Sequence, residues 1–166
     1  MVKTKYLIIA GGVLVAGIIA FFVFFQNEEA KIKKRFKFIA ENIEKTSGEN
    51  PIIAAAKANR TKKVITKSCK IHAPEYSFSG VISSDELGAF VFSKRAPYSE
   101  ISLNLHDFII DFPEKYSAQV NLTASMEGRL KTGKFVGELH ELKCKLQKID
   151  DIWYLKDIEV VEVLRK

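Results

Sequence analysis

The most conspicuous feature of the hydrophobic pattern is a stretch with no polar interruption. From Tyr6 to Phe25 (YLIIAGGVLVAGIIAFFVFF) the chain carries neither a charged residue nor a proline. As a helix rising about 1.5 Å per residue, this run is roughly 30 Å long, the thickness of a bilayer's hydrocarbon core. A lone segment in lipid must satisfy its own backbone hydrogen bonds, so the run predicts a membrane-spanning helix. Beyond it the pattern becomes helical. Ile32, Phe36, Ile39 and Ile43 form one apolar stripe, which predicts a helix over Glu28–Lys45 that stops at Thr46-Ser47-Gly48. Asn50-Pro51 reads as a cap followed by proline at the first helical position, opening a short helix to about Asn59. Ser83 and Glu86 form a capping box for a third helix that runs to about Lys94, with Leu87, Phe90 and Val91 as its buried side.

Elsewhere the period is two. Lys62–His72 predicts a strand in which Ile65, Cys69 and Ile71 share a face, and Tyr76–Gly80 predicts a brief extended piece. Ile101, Leu103 and Leu105 alternate with polar neighbours; Ala118, Val120, Leu122, Ala124 and Met126 do the same, as do Leu142, Cys144 and Leu146. Asp150-Asp151 predicts a tight hairpin into a last strand, Trp153–Leu164, whose alternation slips between Leu155 and Ile158 as at a bulge. Strands with one polar face need cover on the other face only, and three helices can supply it. The expected fold is α+β: a transmembrane helix, then about three helices packed on a curved, mainly antiparallel sheet. The expected division is a tail over 1–5, the spanning helix over 6–25 and one domain over 26–166, of roughly 140 residues.

Composition and charge refine this. A cleaved signal would need a shorter core and a small-residue cleavage site; here Phe24-Phe25 runs into Gln26-Asn27-Glu28-Glu29, which favours an uncleaved anchor. Gly12, Ala16 and Ala20 lie four apart, the spacing of a transmembrane packing face, so self-association through the bilayer is one expectation. The flanking charges pull both ways. Lys31, Lys33, Lys34, Arg35 and Lys37 form a basic cluster that could lie on anionic headgroups if the domain is cytoplasmic. The short amino tail instead favours a domain outside the cytoplasm, periplasmic or extracellular. Setting Lys3 and Lys5 aside leaves 24 basic against 20 acidic side chains, too mixed a balance to argue for nucleic acid. Cys69 and Cys144 match no zinc or redox spacing; they could pair in an oxidising compartment or serve as small buried hydrophobes.

The order of elements carries a resemblance. Two helices, a strand, a third helix and then long strands, with YSFSG, SSDELGAF, ISLNLHDFIIDF and ELHELKCKLQKIDDIWYLKDIEVVEVL along them, is similar to the nuclear transport factor 2-like, cystatin-like cone superfamily. Within it the chain resembles uncharacterised bacterial members with a single membrane anchor. The superfamily holds isomerases, dehydratases and cyclases as well as transport adaptors and secretion-assembly subunits, so the resemblance implies a cone and leaves activity open. The single spanning helix before the cone resembles the secretion-assembly and membrane-complex members, which implies a role in binding proteins.

Candidate chemistry is sparse. Asp107 has the parity of Ile101, Leu103 and Leu105, so it would point into the cone, where an apolar setting could make its carboxylate a general base; Tyr76, Tyr98 or Tyr116 could supply a hydroxyl. A turn-capping role for Asp107 competes with that. His72, His106 and His140 are spread over three strands with no metal-ligand spacing, and no phosphate loop or nucleophile motif occurs, so neither a metal nor a cofactor is expected. Taken together, these features lead us to expect a non-enzymatic interaction or assembly module that binds the bilayer through residues 6–25 and another membrane or envelope protein through its cone. The rival expectation is a small-ligand-binding or isomerase/dehydratase-type enzyme that uses the cone pocket with Asp107; a lipid-handling factor is a third.

Overall fold

The computed structural model describes Gly17 and residues 26–165. Apart from Gly17, the expected spanning helix over 6–25, with its packing face Gly12, Ala16 and Ala20, lies outside the described residues; among the described residues, no helix is long and apolar enough to cross a membrane. The chain divides into two units, Met1–Lys34 and Arg35–Lys166. In the first, residues 26–34 are helical and Lys31 Nζ pairs with Glu28 Oε1 at 3.1 Å one turn away.

The second unit contains the remainder of the first helix, α1 (26–43), then α2 (Pro51–Thr61), β1 (Ile65–Ala73), β2 (Phe78–Ser83), α3 (Ser84–Arg95), β3 (Tyr98–Glu114), β4 (Ser117–Leu130), β5 (Phe135–Ile149) and β6 (Ile152–Arg165). The six strands form one curved mixed sheet in the order β2-β1-β6-β5-β4-β3, with β1 parallel to β6 and every other neighbouring pair antiparallel. The α+β expectation holds.

Local chemistry explains the boundaries. The Asn50 side chain accepts from Ile52 N at 2.8 Å, with Pro51 at the first helical position, so α2 starts where its cap dictates. Ser83 and Glu86 exchange both bonds of the capping box at the start of α3. Asp150 and Asp151 both adopt positive φ (48° and 64°), the backbone a two-residue hairpin requires, and the predicted slip in β6 is a register shift between the Lys145–Asp157 and Leu146–Leu155 pairs.

The core lies on one face of the sheet. Ala118, Val120, Leu122 and Ala124 of β4 are buried together with Cys144 and Leu146 of β5 and Trp153 and Leu155 of β6. Phe36 of α1 meets Phe108 edge-on at 5.6 Å, and Trp153 meets Phe112 at 5.9 Å. The helical stripe of α3 differs from expectation. Gly88, Val91 and Arg95 are its buried positions, whereas Phe90 is exposed and pairs with Phe78 on β2.

Cys69 and Cys144 are both buried and free. The strand order explains this: β6 runs between β1 and β5, which sets the two residues two strand spacings apart, roughly 9.5 Å. A disulfide reaches across about 7 Å at most. Burial, reinforced by the Asp157 carboxylate, pushes the Cys69 thiol up to about 12. Burial, then Cys69 and Asp157, do the same to Cys144, also up to about 12.

Candidate functional site

Strict alternation along β5 decides what the inner face carries. The β4–β5 ladder has no register shift, so the partners of the buried β4 positions all lie on that same face. Ala118 pairs with Leu146, Val120 with Cys144, Leu122 with Leu142, Ala124 with His140 and Met126 with Glu138. Two polar side chains therefore continue an apolar face. Both are largely buried, at 14% exposure for His140 and 16% for Glu138, and His140 Nε2 lies 3.2 Å from Glu138 Oε2. A third residue arrives from the β1–β2 connection: the Tyr76 hydroxyl donates to Glu138 Oε2 at 2.6 Å, and its ring lies 6.0 Å from the imidazole. The surroundings on the same face are Leu103, Leu105, Ala124, Met126 and Leu142.

This arrangement selects a tautomer. An ionised carboxylate only accepts, so the proton on the side facing Glu138 belongs to Nε2, and Nδ1 keeps its lone pair. The carboxylate orients the ring and stabilises an imidazolium once a proton is taken up. The result is an oriented base on a mostly apolar floor, a pattern suited to removing a proton from a small apolar molecule.

Asp107 does not join it. Parity fails at a bulge: the β3–β4 register shifts between His106 and Ile109, and Asp107 takes a φ of 55°. Leu105 and Phe108 are both half-buried while Asp107 is 73% exposed, and its carboxylate contacts His106 Nδ1 at 2.7 Å. It lies at a bulge inside β3, not at the end of a strand. Tyr116 is exposed beside the β3–β4 turn, and Tyr98 packs over Gly128 away from Asp107's strand neighbours. His72 contacts Ser79 Oγ at 2.7 Å, and no group of metal-ligating side chains converges among the described residues. The basic cluster is divided. Lys33, Lys34 and Lys37 are exposed, but the Arg35 guanidinium donates to the Lys63 carbonyl and lies over the Phe38 and Tyr154 rings. Burial lowers its pKa, with Tyr154 acting in the opposite sense.

No family model matches the sequence, and no curated protein matches it either. Solved structures do. A protein from Novosphingobium aromaticivorans assigned as a scytalone dehydratase superposes with a TM-score of 0.69 at 13% identity, over 85% of this chain and 89% of its own. Hexachlorocyclohexane dehydrochlorinase from Novosphingobium barchaimii gives 0.66 at 7% identity, over 85% and 91%. A second Novosphingobium aromaticivorans protein, assigned as an aromatic ring hydroxylase, gives 0.67 at 11%, over 82% and 92%. The chain shares the fold of these proteins, the cone that its resemblance to the nuclear transport factor 2-like superfamily implies.

These comparisons correct the expectation of a non-enzymatic assembly module. The solved folds that this chain resembles include a dehydratase and dehydrochlorinases, which favours the enzymatic alternative. At such low identity the likeness carries the fold alone, so any reaction must be argued from residues. The sequence reading missed His140 and Glu138 because it judged histidines by their spacing along the chain. The signal was present in the parity of Leu142, Cys144 and Leu146, which extends two steps back to both residues.

Proposed function

We propose that the inner face of the sheet is the seat of an elimination- or isomerisation-type enzyme acting on a small, largely apolar molecule. His140 is the general base, Glu138 orients it, and Tyr76 positions Glu138. The observation that carries this is the contact of Glu138 with both His140 and Tyr76 on the face that otherwise forms the core. Dehydration and dehydrochlorination, the reactions named for two structural neighbours, share one requirement: a base takes a proton from carbon as the neighbouring carbon loses its leaving group. Nδ1 of His140 would accept the proton and the C–H electron pair would form the double bond; chloride would leave with its bonding pair, or a hydroxyl would leave as water on taking that proton back from the imidazolium. Leu103, Leu105 and Met126 favour an apolar body over a highly charged substrate.

The test is turnover of apolar β-hydroxy ketones and of a hexachlorocyclohexane by the purified full chain. His140→Gln should cost at least about 100-fold in kcat, the usual contribution of a positioned base, with the fold retained. Glu138→Gln and Tyr76→Phe should cost less, because each acts through the imidazole. Turnover that survives His140→Gln unchanged would overturn the assignment.

We further propose that residues 6–25 anchor this domain to a membrane, on the strength of a twenty-residue stretch without a charge. Resistance to alkaline carbonate extraction tests the anchor, and protease protection of the intact membrane reports the side on which the domain lies.

A further inference from the structure

A cleft of about 340 Å³ lies where the C-terminal end of α1, the start of α2 and the end of α3 meet the start of β3. Lys45, Arg95 and Lys131 line it together with one carboxylate, Glu49. That carboxylate is already committed: Arg95 Nη2 approaches it at 2.6 Å and Lys57 Nζ at 2.8 Å. Lys45 is directed by backbone alone, donating to the carbonyls of Tyr98 at 2.6 Å and Arg95 at 3.3 Å. Among the described residues, neither Lys45 nor Lys131 has a carboxylate within ion-pair distance. The two ammonium groups lie close enough that Lys131 adds to the burial that lowers the Lys45 pKa. Glu49 offsets part of this, but the positive charges of Lys45, Lys131 and Arg95 outnumber that one carboxylate in the lining. Beside Gly48 and Ser99, the rest of the lining is apolar or aromatic: Pro51, Ala54, Phe92, Ala96 and the Tyr98 ring.

We propose that this cleft binds a small organic carboxylate, its oxyanion between Lys45 and Lys131 and its body against Phe92 and Pro51. A carboxylate there balances the excess positive charge, and the half-buried Lys45 ammonium binds it more strongly than an exposed one does. The volume is at the lower end of the range for small-molecule sites and admits a single-ring acid. The apolar lining distinguishes this chemistry from that of a bare inorganic oxyanion. The site is independent of the His140 face, and its failure would leave that reading untouched.

The test is calorimetric titration of the full chain, in a non-ionic detergent, with benzoate, benzamide and inorganic phosphate. Benzoate should bind; benzamide, with the same ring but no charge, and phosphate, with charge but no ring, should bind at least about tenfold more weakly. Lys131→Gln should weaken benzoate about three- to tenfold, and Lys131→Glu should abolish binding; the exposed side chain can be changed without touching the core. Phe92→Ala should weaken benzoate but not any residual phosphate binding. Equal binding of benzoate and benzamide, phosphate as tight as benzoate, or benzoate affinity unchanged in Lys131→Glu would each overturn the proposal.

Discussion

Arg95 is the most informative single position for stability. It is 3% exposed, and its guanidinium donates to four acceptors from three segments: Ile43 O at 2.9 Å, Glu44 O at 2.8 Å, Ala54 O at 3.1 Å and Glu49 Oε2 at 2.6 Å. The acceptors tie the end of α1, the linker after it and α2 to the last turn of α3. Arg95→Met keeps much of the volume but strands a carboxylate that is 2% exposed, leaving it only Lys57. Removing one partner of a buried pair costs about 3–5 kcal/mol. For a domain of this size that is a large share of the total stability and a fall in Tm of about 10–15 °C. Urea denaturation should therefore show a lower midpoint at unchanged slope. Arg95→Lys should recover only a small part, because one ammonium cannot serve four acceptors in a plane. Glu49→Gln on top of Arg95→Met should cost less than the two single changes summed, by more than about 1 kcal/mol. An Arg95→Met loss below about 1 kcal/mol, or strict additivity with Glu49→Gln, would refute this account of the knot.

Other expectations follow from the same geometry. Burial alone would raise the Glu49 pKa, but the Lys57 hydrogen bond and the Arg95 charge outweigh it and hold the carboxyl below its ordinary value. Its folded pKa is thus depressed, so the stability it contributes is present above the unfolded value of about 4.3 and is lost as pH falls through the lower folded value. Denaturation midpoints for wild type and Glu49→Gln, measured from neutral to acid pH, should converge only below that window. With both thiols pushed up to about 12 and buried, Cys69 and Cys144 should resist a thiol reagent at mildly alkaline pH and react fully in denaturant, as mass analysis would show. Gly128→Ala should destabilise by about 1–3 kcal/mol and loosen the carboxylate cleft, because a Cβ there would lie 2.7 Å from the Tyr98 ring. Asp107→Asn should change stability by less than about 0.5 kcal/mol and leave turnover intact, since asparagine also tolerates the left-handed backbone and the side chain faces solvent.

Local signals in the chain were sufficient wherever the physics is local. Asn50-Pro51, the Ser83–Glu86 capping box, the Asp150-Asp151 hairpin and the slip after Leu155 each depend on groups a few residues apart, and each appears in the structure as read. The alternation of β4 and β5 likewise determined which face is buried, since every second side chain points the same way. Tertiary structure decided what long-range pairing alone can decide. A bulge at His106–Asp107 turned the one predicted acid outward, because one extra residue in a ladder reverses the parity. The insertion of β6 between β1 and β5 kept the cysteines apart. Arg95, which reads in sequence as the end of a helix, is buried because the carbonyl groups that surround it come from residues some fifty positions away. Tyr76 and Glu138 lie 62 residues apart in the chain, and only the folded sheet brings that hydroxyl to the carboxylate that orients His140.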